Sequence, residues 1–318
     1  MARHTKNKGI ALNFDWIESV QMNRSAIERR CSSMTKRRSI KKDWQAAWLL
    51  KSLSCIDLTS LSSDDTPERV RRLCAKALKP LRLELSNSLG LKVIKPQVAA
   101  VCVYHSFVKT AVNALKNSEI RVAAVSTGFP HGLNPLHLRI QEIKDSIDAG
   151  AKEIDIVITR AHVFSKNWQA LYDEISSFRE ASGKAHLKTI LGTGELGTFR
   201  NVAKASLVCM MAGADFIKTS TGKEGVNATL PVSLVMLRMI REYLENTGYS
   251  VGFKPAGGIR TAKQSLEWLI MMKEELGRKW MEPNLFRFGA SGLLTDIERQ
   301  LEHHTTGRYS AAHRQPAT

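Results

Sequence analysis

"ADFIKTSTGK", residues 214–223, opens as a short apolar strand and closes as a glycine turn. Lys218 interrupts the apolar run, and an ammonium buried without a partner is expensive. Successive strand residues point to opposite faces, so Phe216 and Lys218 share one face while Ile217 and Thr219 take the other. Lys218 is therefore an accident of sequence, a salt-bridge partner or a reactive group, and the rest of the chain decides which.

Seven further runs have the same character: 55–59 (CIDLT), 98–104 (VAAVCVY), 121–127 (RVAAVST), 153–158 (EIDIVI), 186–191 (HLKTIL), 250–255 (SVGFKP) and 286–290 (FRFGA). Helical patterns separate them. One places Leu136, Ile140, Ile143 and Ile147 on one face, and three such segments stop at Gly150, Gly183 and Gly213. Strand–helix alternation predicts a parallel sheet, and eight units in roughly 240 residues predict a closed α/β TIM (β/α)8 barrel. The barrel is expected over 46–306, preceded by a basic helical extension over 1–45 and followed by a mobile tail over 307–318. Within this reading Lys36–Leu53 forms one helix.

The chain has 318 residues and a net charge of +17. Residues 1–45 hold eleven Lys/Arg against four Asp/Glu, a net +7, so the remainder still carries +10. Such a field attracts phosphorylated substrates, nucleic acids or acidic surfaces. Five cysteines with no Cys-x-x-Cys spacing argue against a disulfide framework and a structural zinc site. No apolar run is long enough to cross a membrane, and the first residues lack a signal core. The expected location is cytoplasmic, with Lys36–Lys42 (KRRSIKK) also readable as a nuclear signal.

In a barrel, chemistry gathers at the C-terminal strand ends. With the aliphatic faces turned to the helices, five strands direct an ionisable group inward: Asp57, Asp155, Lys188, Lys218 and Lys254. One such residue is most simply a polar contact or a lysine snorkelling to the rim. Five together point to an active site. Three lysines and a buried aspartate suit Schiff-base catalysis. A free lysine, pKa ~10.4, is almost wholly protonated at neutral pH and cannot attack a carbonyl. Burial and a neighbouring ammonium both favour the neutral amine. Lys254, at matching depth on the next strand, is the natural neighbour of Lys218, and Asp155 can move protons.

A phosphate site is expected beside it. Gly257, Gly258 and Arg260 follow strand seven, and Gly289, Ser291 and Gly292 follow strand eight, each group ahead of a helix. Glycines let backbone N–H groups approach an anion, and a helix N-terminus favours negative charge. Thr221, Gly222 and Lys223 follow strand six and can close over the same phosphate.

Six motifs in order, IDLTSL, EIDIVI, TGELGT, DFIKTSTGK, GFKPAGGIR and FRFGAS, resemble the deoxyribose-phosphate aldolase family, its animal members in particular, from about Trp44 to Tyr309. The resemblance implies a TIM barrel and a metal-independent class I aldolase with no cofactor. The implied reaction interconverts 2-deoxy-D-ribose 5-phosphate with D-glyceraldehyde 3-phosphate and acetaldehyde, in deoxyribonucleoside catabolism. By motif, Lys218 is the implied Schiff-base lysine, Lys254 the lysine that perturbs it, Asp155 the proton-transfer group and Lys188 its relay partner. Asp57, Thr59 and Cys102 are implied to line the substrate pocket, and Gly222, Gly257, Gly258 and Ser291 to cradle phosphate. Two departures stand out. Family members often carry Ser-Ser or Ser-Thr where this chain has Ser291-Gly292, and Val-Tyr-Pro is Val103-Tyr104-His105.

Gly192-x-Gly194-x-x-Gly197 imitates a dinucleotide fingerprint, but its strand is fifth of eight and carries Lys188. Glu224 stands where a phosphate-binding Walker loop needs Ser or Thr. The expected partner is a phosphorylated small molecule. A homodimer is the assembly considered, and the sequence leaves the oligomeric state open. The rival reading is a catalytically silent barrel that binds nucleic acid or protein through its basic surface. A third is an aldolase for another phosphorylated aldehyde.

Overall fold

A computed structural model describes residues 6–37, 39–91, 95–311 and 314. Eight strands run β1 (Ile56–Thr59), β2 (Ala100–Tyr104), β3 (Arg121–Ser126), β4 (Glu153–Val157), β5 (His186–Ile190), β6 (Phe216–Lys218), β7 (Gly252–Lys254) and β8 (Phe288–Ala290). The helices are α1 (Phe14–Ser19), α2 (Arg24–Arg37), α3 (Lys42–Ser54), α4 (Pro67–Leu78), α5 (Leu83–Ser88), α6 (Val108–Ala114), α7 (Leu136–Asp148), α8 (Arg160–Phe164), α9 (Trp168–Ala181), α10 (Phe199–Met211), α11 (Leu230–Thr247), α12 (Ala262–Leu276) and α13 (Gly292–Thr306). All paired strands are parallel and follow chain order, with β8 against β1. The seam between β7 and β8 is closed by the Phe253 N–H to Leu285 O (2.9 Å), Arg287 N–H to Phe253 O (3.1 Å) and Gly289 N–H to Pro255 O (2.9 Å). The expected (β/α)8 barrel is therefore present.

Each predicted run contains a strand, but β6, β7 and β8 are each only three residues long. Where β6 and β7 end, a side chain replaces the ladder: Thr219 Oγ1 accepts the Ala256 N–H at 3.0 Å. The same device joins the ends of β3 and β4, where Thr127 Oγ1 accepts the Val157 N–H at 2.7 Å. The predicted helix stops hold as well: α7, α9 and α10 end two residues before Gly150, Gly183 and Gly213, whose φ values are 105°, 47° and 94°.

The interior is shaped by two glycines. A Cβ on Gly252 would lie 2.4 Å from the Phe216 ring, which fills the barrel beside it. A Cβ on Gly289 would meet Ala256 Cβ at 2.7 Å and Lys254 Cε at 3.2 Å. These glycines keep space inside β7 and β8 for a large ring and a long lysine.

The N-terminal segment differs from a single added helix. The predicted helix over Lys36–Leu53 is two helices, because α2 ends at Arg37 and α3 begins at Lys42, with Lys41 extended (φ −132°, ψ 160°). The break lets two apolar stripes meet different parts of the barrel wall. Ile27, Cys31 and Met34 are buried where α2 packs on α11 and α12, while Leu49 and Leu53 are buried where α3 packs on α12 and α13. Ahead of them, Asn7 Nδ2 donates to Met210 O (2.8 Å) and Ala214 O (2.9 Å), and its Oδ1 accepts from the Tyr243 hydroxyl (3.1 Å). Part of the predicted mobile tail, residues 312, 313 and 315–318, lies outside the described residues; within the rest, Tyr309 stacks on His303. Among the described residues no helix is long and apolar enough to cross a membrane.

Candidate active site

Strand register delivers the five predicted ionisable groups to the barrel interior. Asp155 lies beside Lys188 across β4 and β5, and Lys218 beside Lys254 across β6 and β7. Asp155 is the hub. Its Oδ1 accepts from Lys188 Nζ at 2.8 Å, and its Oδ2 from Lys218 Nζ at 2.9 Å and Lys254 Nζ at 2.8 Å. Lys254 Nζ also reaches Asp57 Oδ2 at 2.5 Å. Beneath this layer lies a second one that sequence reasoning missed. Arg287 donates to Asp57 Oδ1 (2.5 Å) and to both oxygens of Glu153 (3.1 and 2.8 Å). Lys188 Nζ meets Glu153 Oε2 at 2.5 Å. The alternation rule that selected Asp155 also puts Glu153 on its face, and Arg287 on the face of Gly289; only their proximity to the strand starts hid them.

All seven side chains are buried, four cations against three carboxylates. If every group were charged, the cluster would hold one positive charge in excess. The half-exposed Arg121, 3.2 Å from Glu153, adds to that excess at the lower edge. The proton therefore leaves most readily from the cation with the weakest anionic partnership.

That cation is Lys218. Burial and then the Lys254 ammonium lower its pKa, against the pull of Asp155, the one carboxylate it touches among the described residues. Lys254 moves the other way. Burial opposes its charge, but Asp155 and Asp57 outweigh it and raise the pKa. Lys188 is raised for the same reason by Asp155 and Glu153. Burial would raise Asp155, yet Lys188, Lys218 and Lys254 hold it well below the usual carboxylate range.

Lys218 also opens to solvent-accessible space. It lines a cleft of about 740 Å³ at the C-terminal ends of the strands, together with Thr59, Thr221, Gly222, Lys223, Gly257, Gly258, Arg260 and Ser291. These nine predicted residues, with Gly289 and Gly292, thus share one cleft. Asp57, Asp155, Lys188 and Lys254 sit below it without lining it. Cys102 is fully buried in the barrel wall with Ala123 and Val125, and burial raises its thiol pKa. The Thr59 hydroxyl donates to the Asp57 carbonyl at 2.7 Å.

The turns after β7 and β8 have the form expected of an anion cradle. Gly257 and Gly258 are both left-handed, φ 80° and 81°. Gly257 has a second reason to be glycine, because a Cβ there would lie 2.6 Å from the Asn227 side chain. Ser291 makes no side-chain cap on α13, whose first residue, Gly292, lines the cleft. The turn after β6 holds a surprise. Glu224 accepts from the Thr221 N–H (2.9 and 3.0 Å), the Thr221 hydroxyl (2.7 Å) and the Gly222 N–H (3.1 Å). These expected phosphate donors already hold a carboxylate of the chain. From sequence alone, Glu224 serves only to exclude a Walker loop.

Of the false dinucleotide glycines, Gly194 serves packing: a Cβ there would lie 1.9 Å from the Val226 carbonyl oxygen. His105, in the place of the family proline, pairs with Glu142 at 3.2 Å, and this raises its pKa.

Comparison with known proteins agrees with this geometry. Residues 51–294 match the model of the DeoC/LacD family aldolases. The chain is 57% identical to the deoxyribose-phosphate aldolase of Mus musculus, over 99% of both chains. It is 56% identical to that of Homo sapiens, over 98% of both. In fold it is similar to the tetrameric deoxyribose phosphate aldolase of Aeropyrum pernix, with a TM-score of 0.61 and 20% identity over 88% of this chain and 99% of that one.

Proposed function

This chain belongs to the DeoC/LacD family of aldolases, and from that premise we infer that it is a carbon–carbon lyase that reversibly cleaves 2-deoxy-D-ribose 5-phosphate to D-glyceraldehyde 3-phosphate and acetaldehyde. The observation that carries the mechanism is the contrast between two adjacent lysines. Lys218 opens to the cleft and gives up its proton readily, whereas Lys254 is clamped between Asp57 and Asp155 and keeps its own.

In our reading, neutral Lys218 attacks C1 of the open-chain sugar phosphate. The carbinolamine loses water to give an iminium. Removal of the C3 hydroxyl proton then breaks the C2–C3 bond, releasing glyceraldehyde 3-phosphate and leaving an enamine on Lys218. Protonation at C2 and hydrolysis release acetaldehyde and restore the amine. Asp155, within 2.9 Å of Lys218 Nζ, stands where it can pass protons through a water, with Lys188 fixing its other oxygen. Lys254 is a positioning and charge-setting residue. Asp57 holds Lys254, while Thr59 and Cys102 shape the wall beside the nucleophile. Phosphate is assigned to Lys223, Gly257, Gly258, Arg260 and Ser291, with Thr221 and Gly222 contributing on displacement of Glu224.

The test is reductive trapping. Acetaldehyde plus borohydride is expected to add a two-carbon group to Lys218, located by peptide mass spectrometry. A folded, unmodified Lys218 beside an active control enzyme would refute the mechanism.

A further inference from the structure

We propose that Arg69 is a phosphate-binding residue of this enzyme, filling the gap left where Gly292 lacks a hydroxyl. The proposal rests on the function inferred above. β1 and β8 are neighbours, so the loop after β1 faces the turn after β8. Arg69, in the first turn of α4, lines the same cleft as Ser291, Gly292, Arg260 and Lys223.

The arginine is anchored but not used up. Among the described residues, its Nη1 alone donates, to Asp64 Oδ1 at 2.9 Å and more weakly to Asp65 Oδ1 at 3.4 Å and the Asp64 carbonyl at 3.5 Å. Asp65 is a firm support, because its carboxylate accepts from the Ser60 hydroxyl (2.7 and 2.9 Å) and the Ser62 N–H (3.0 Å). A guanidinium has five N–H donors in a planar fork, so Nη2 and Nε remain for a phosphate. The side chain is 35% exposed, which leaves it accessible from the cleft.

Arg69 also answers a charge problem. Asp64 lines the cleft, and a bare carboxylate there would repel the substrate phosphate. Engagement by Arg69 and the Ser62 hydroxyl offsets that charge. Opposite, Gly292 has open space: a Cβ there would meet nothing within 4 Å. A serine hydroxyl therefore fits, and its absence leaves one donor fewer for Arg69 to replace.

The experiment compares steady-state kinetics on the phosphorylated sugar and on its unphosphorylated parent, deoxyribose, with inhibition by inorganic phosphate as the direct probe. Arg69→Gln is expected to raise both the KM for the phosphorylated sugar and the phosphate inhibition constant about tenfold. Free deoxyribose keeps its wild-type KM. Arg69→Lys, which keeps the charge and stem but loses the fork, gives a smaller rise and serves if the glutamine variant misfolds. Adding Gly292→Ser to Arg69→Gln recovers several-fold of the loss. An unchanged phosphate inhibition constant, or a KM that rises equally for both sugars, overturns the proposal. Trapping with acetaldehyde, which has no phosphate, separates the two levels. Loss of the Lys218 adduct in the wild type refutes the aldolase mechanism. An intact adduct with unmoved phosphate inhibition in Arg69→Gln refutes only the role of Arg69.

Discussion

The mouth and the floor of the barrel interior are built from the same ingredients and behave differently. At the floor, Arg287 spans Asp57 and Glu153, and Lys188 adds its ammonium to Glu153. Every charge there has two or more partners, and each cation holds its proton more firmly than in water. At the mouth, Lys218 shares one oxygen of Asp155 with Lys254. It has burial without full compensation, and its proton is loosened. A buried ion pair is stabilising only when its desolvation is well repaid. The floor meets that condition, and the mouth falls short of it at one residue, the one that needs a lone pair.

The sharpest way to break this contrast is Lys218→Arg, which replaces the loosened amine by a permanent cation. Turnover should fall by roughly four orders of magnitude or more, the scale of losing a nucleophile. Circular dichroism should stay native and borohydride should trap nothing. Retained turnover would move the nucleophile elsewhere.

Arg287→Met attacks the floor instead. It leaves Asp57 and Glu153 short of a cation, and breaking a buried pair costs about 3–5 kcal/mol. Urea unfolding should show the loss. Stability unchanged within error would mean that the floor is not the support described above.

Lys254→Leu tests the coupling between the layers. Removing its ammonium raises the Lys218 pKa, so the neutral amine becomes scarcer at pH 7. Schiff-base formation at that pH should slow about 10- to 100-fold, for a shift of one to two pKa units, and its pH profile should move alkaline. A profile that stays in place would show that Lys254 does not set Lys218.

The gentlest test is acid. Asp155 and Glu153 have pKa values depressed in the folded state. A depressed carboxylate adds stability that is fully present above its unfolded pKa, ~4, and is lost as pH falls through the folded value. Stability should decline below about pH 5, and Asp155→Asn should flatten part of that decline. An identical slope in the variant would assign the acid sensitivity to other groups.

Much of this was legible in the residues. Eight apolar runs and three glycine stops define the barrel, and period-two alternation carries Asp57, Asp155, Lys188, Lys218 and Lys254 inward. What escaped was of another kind. Arg69 reaches the cleft from a helix, where alternation says nothing, and only the β1–β8 closure makes it a neighbour of Gly292. Glu224 caps donors two and three residues away, which looks in sequence like any polar turn. Residues 1–45, with a net charge of +7, read as a basic extension added to the barrel. Ile17 and Ile27 are nevertheless buried against barrel helices that lie far away along the chain.

Asn7 has a further consequence, for the order of events in folding. It bonds to carbonyls 203 and 207 residues downstream and to a hydroxyl 236 residues away. On the ribosome it emerges long before any of them exist. Contacts of such separation are made late, because loop closure must come first. Asn7 therefore acts as a latch fastened on an already formed barrel. Weakening it, as in Asn7→Ala, should leave the refolding rate nearly unchanged and speed unfolding, a pattern stopped-flow measurements would reveal.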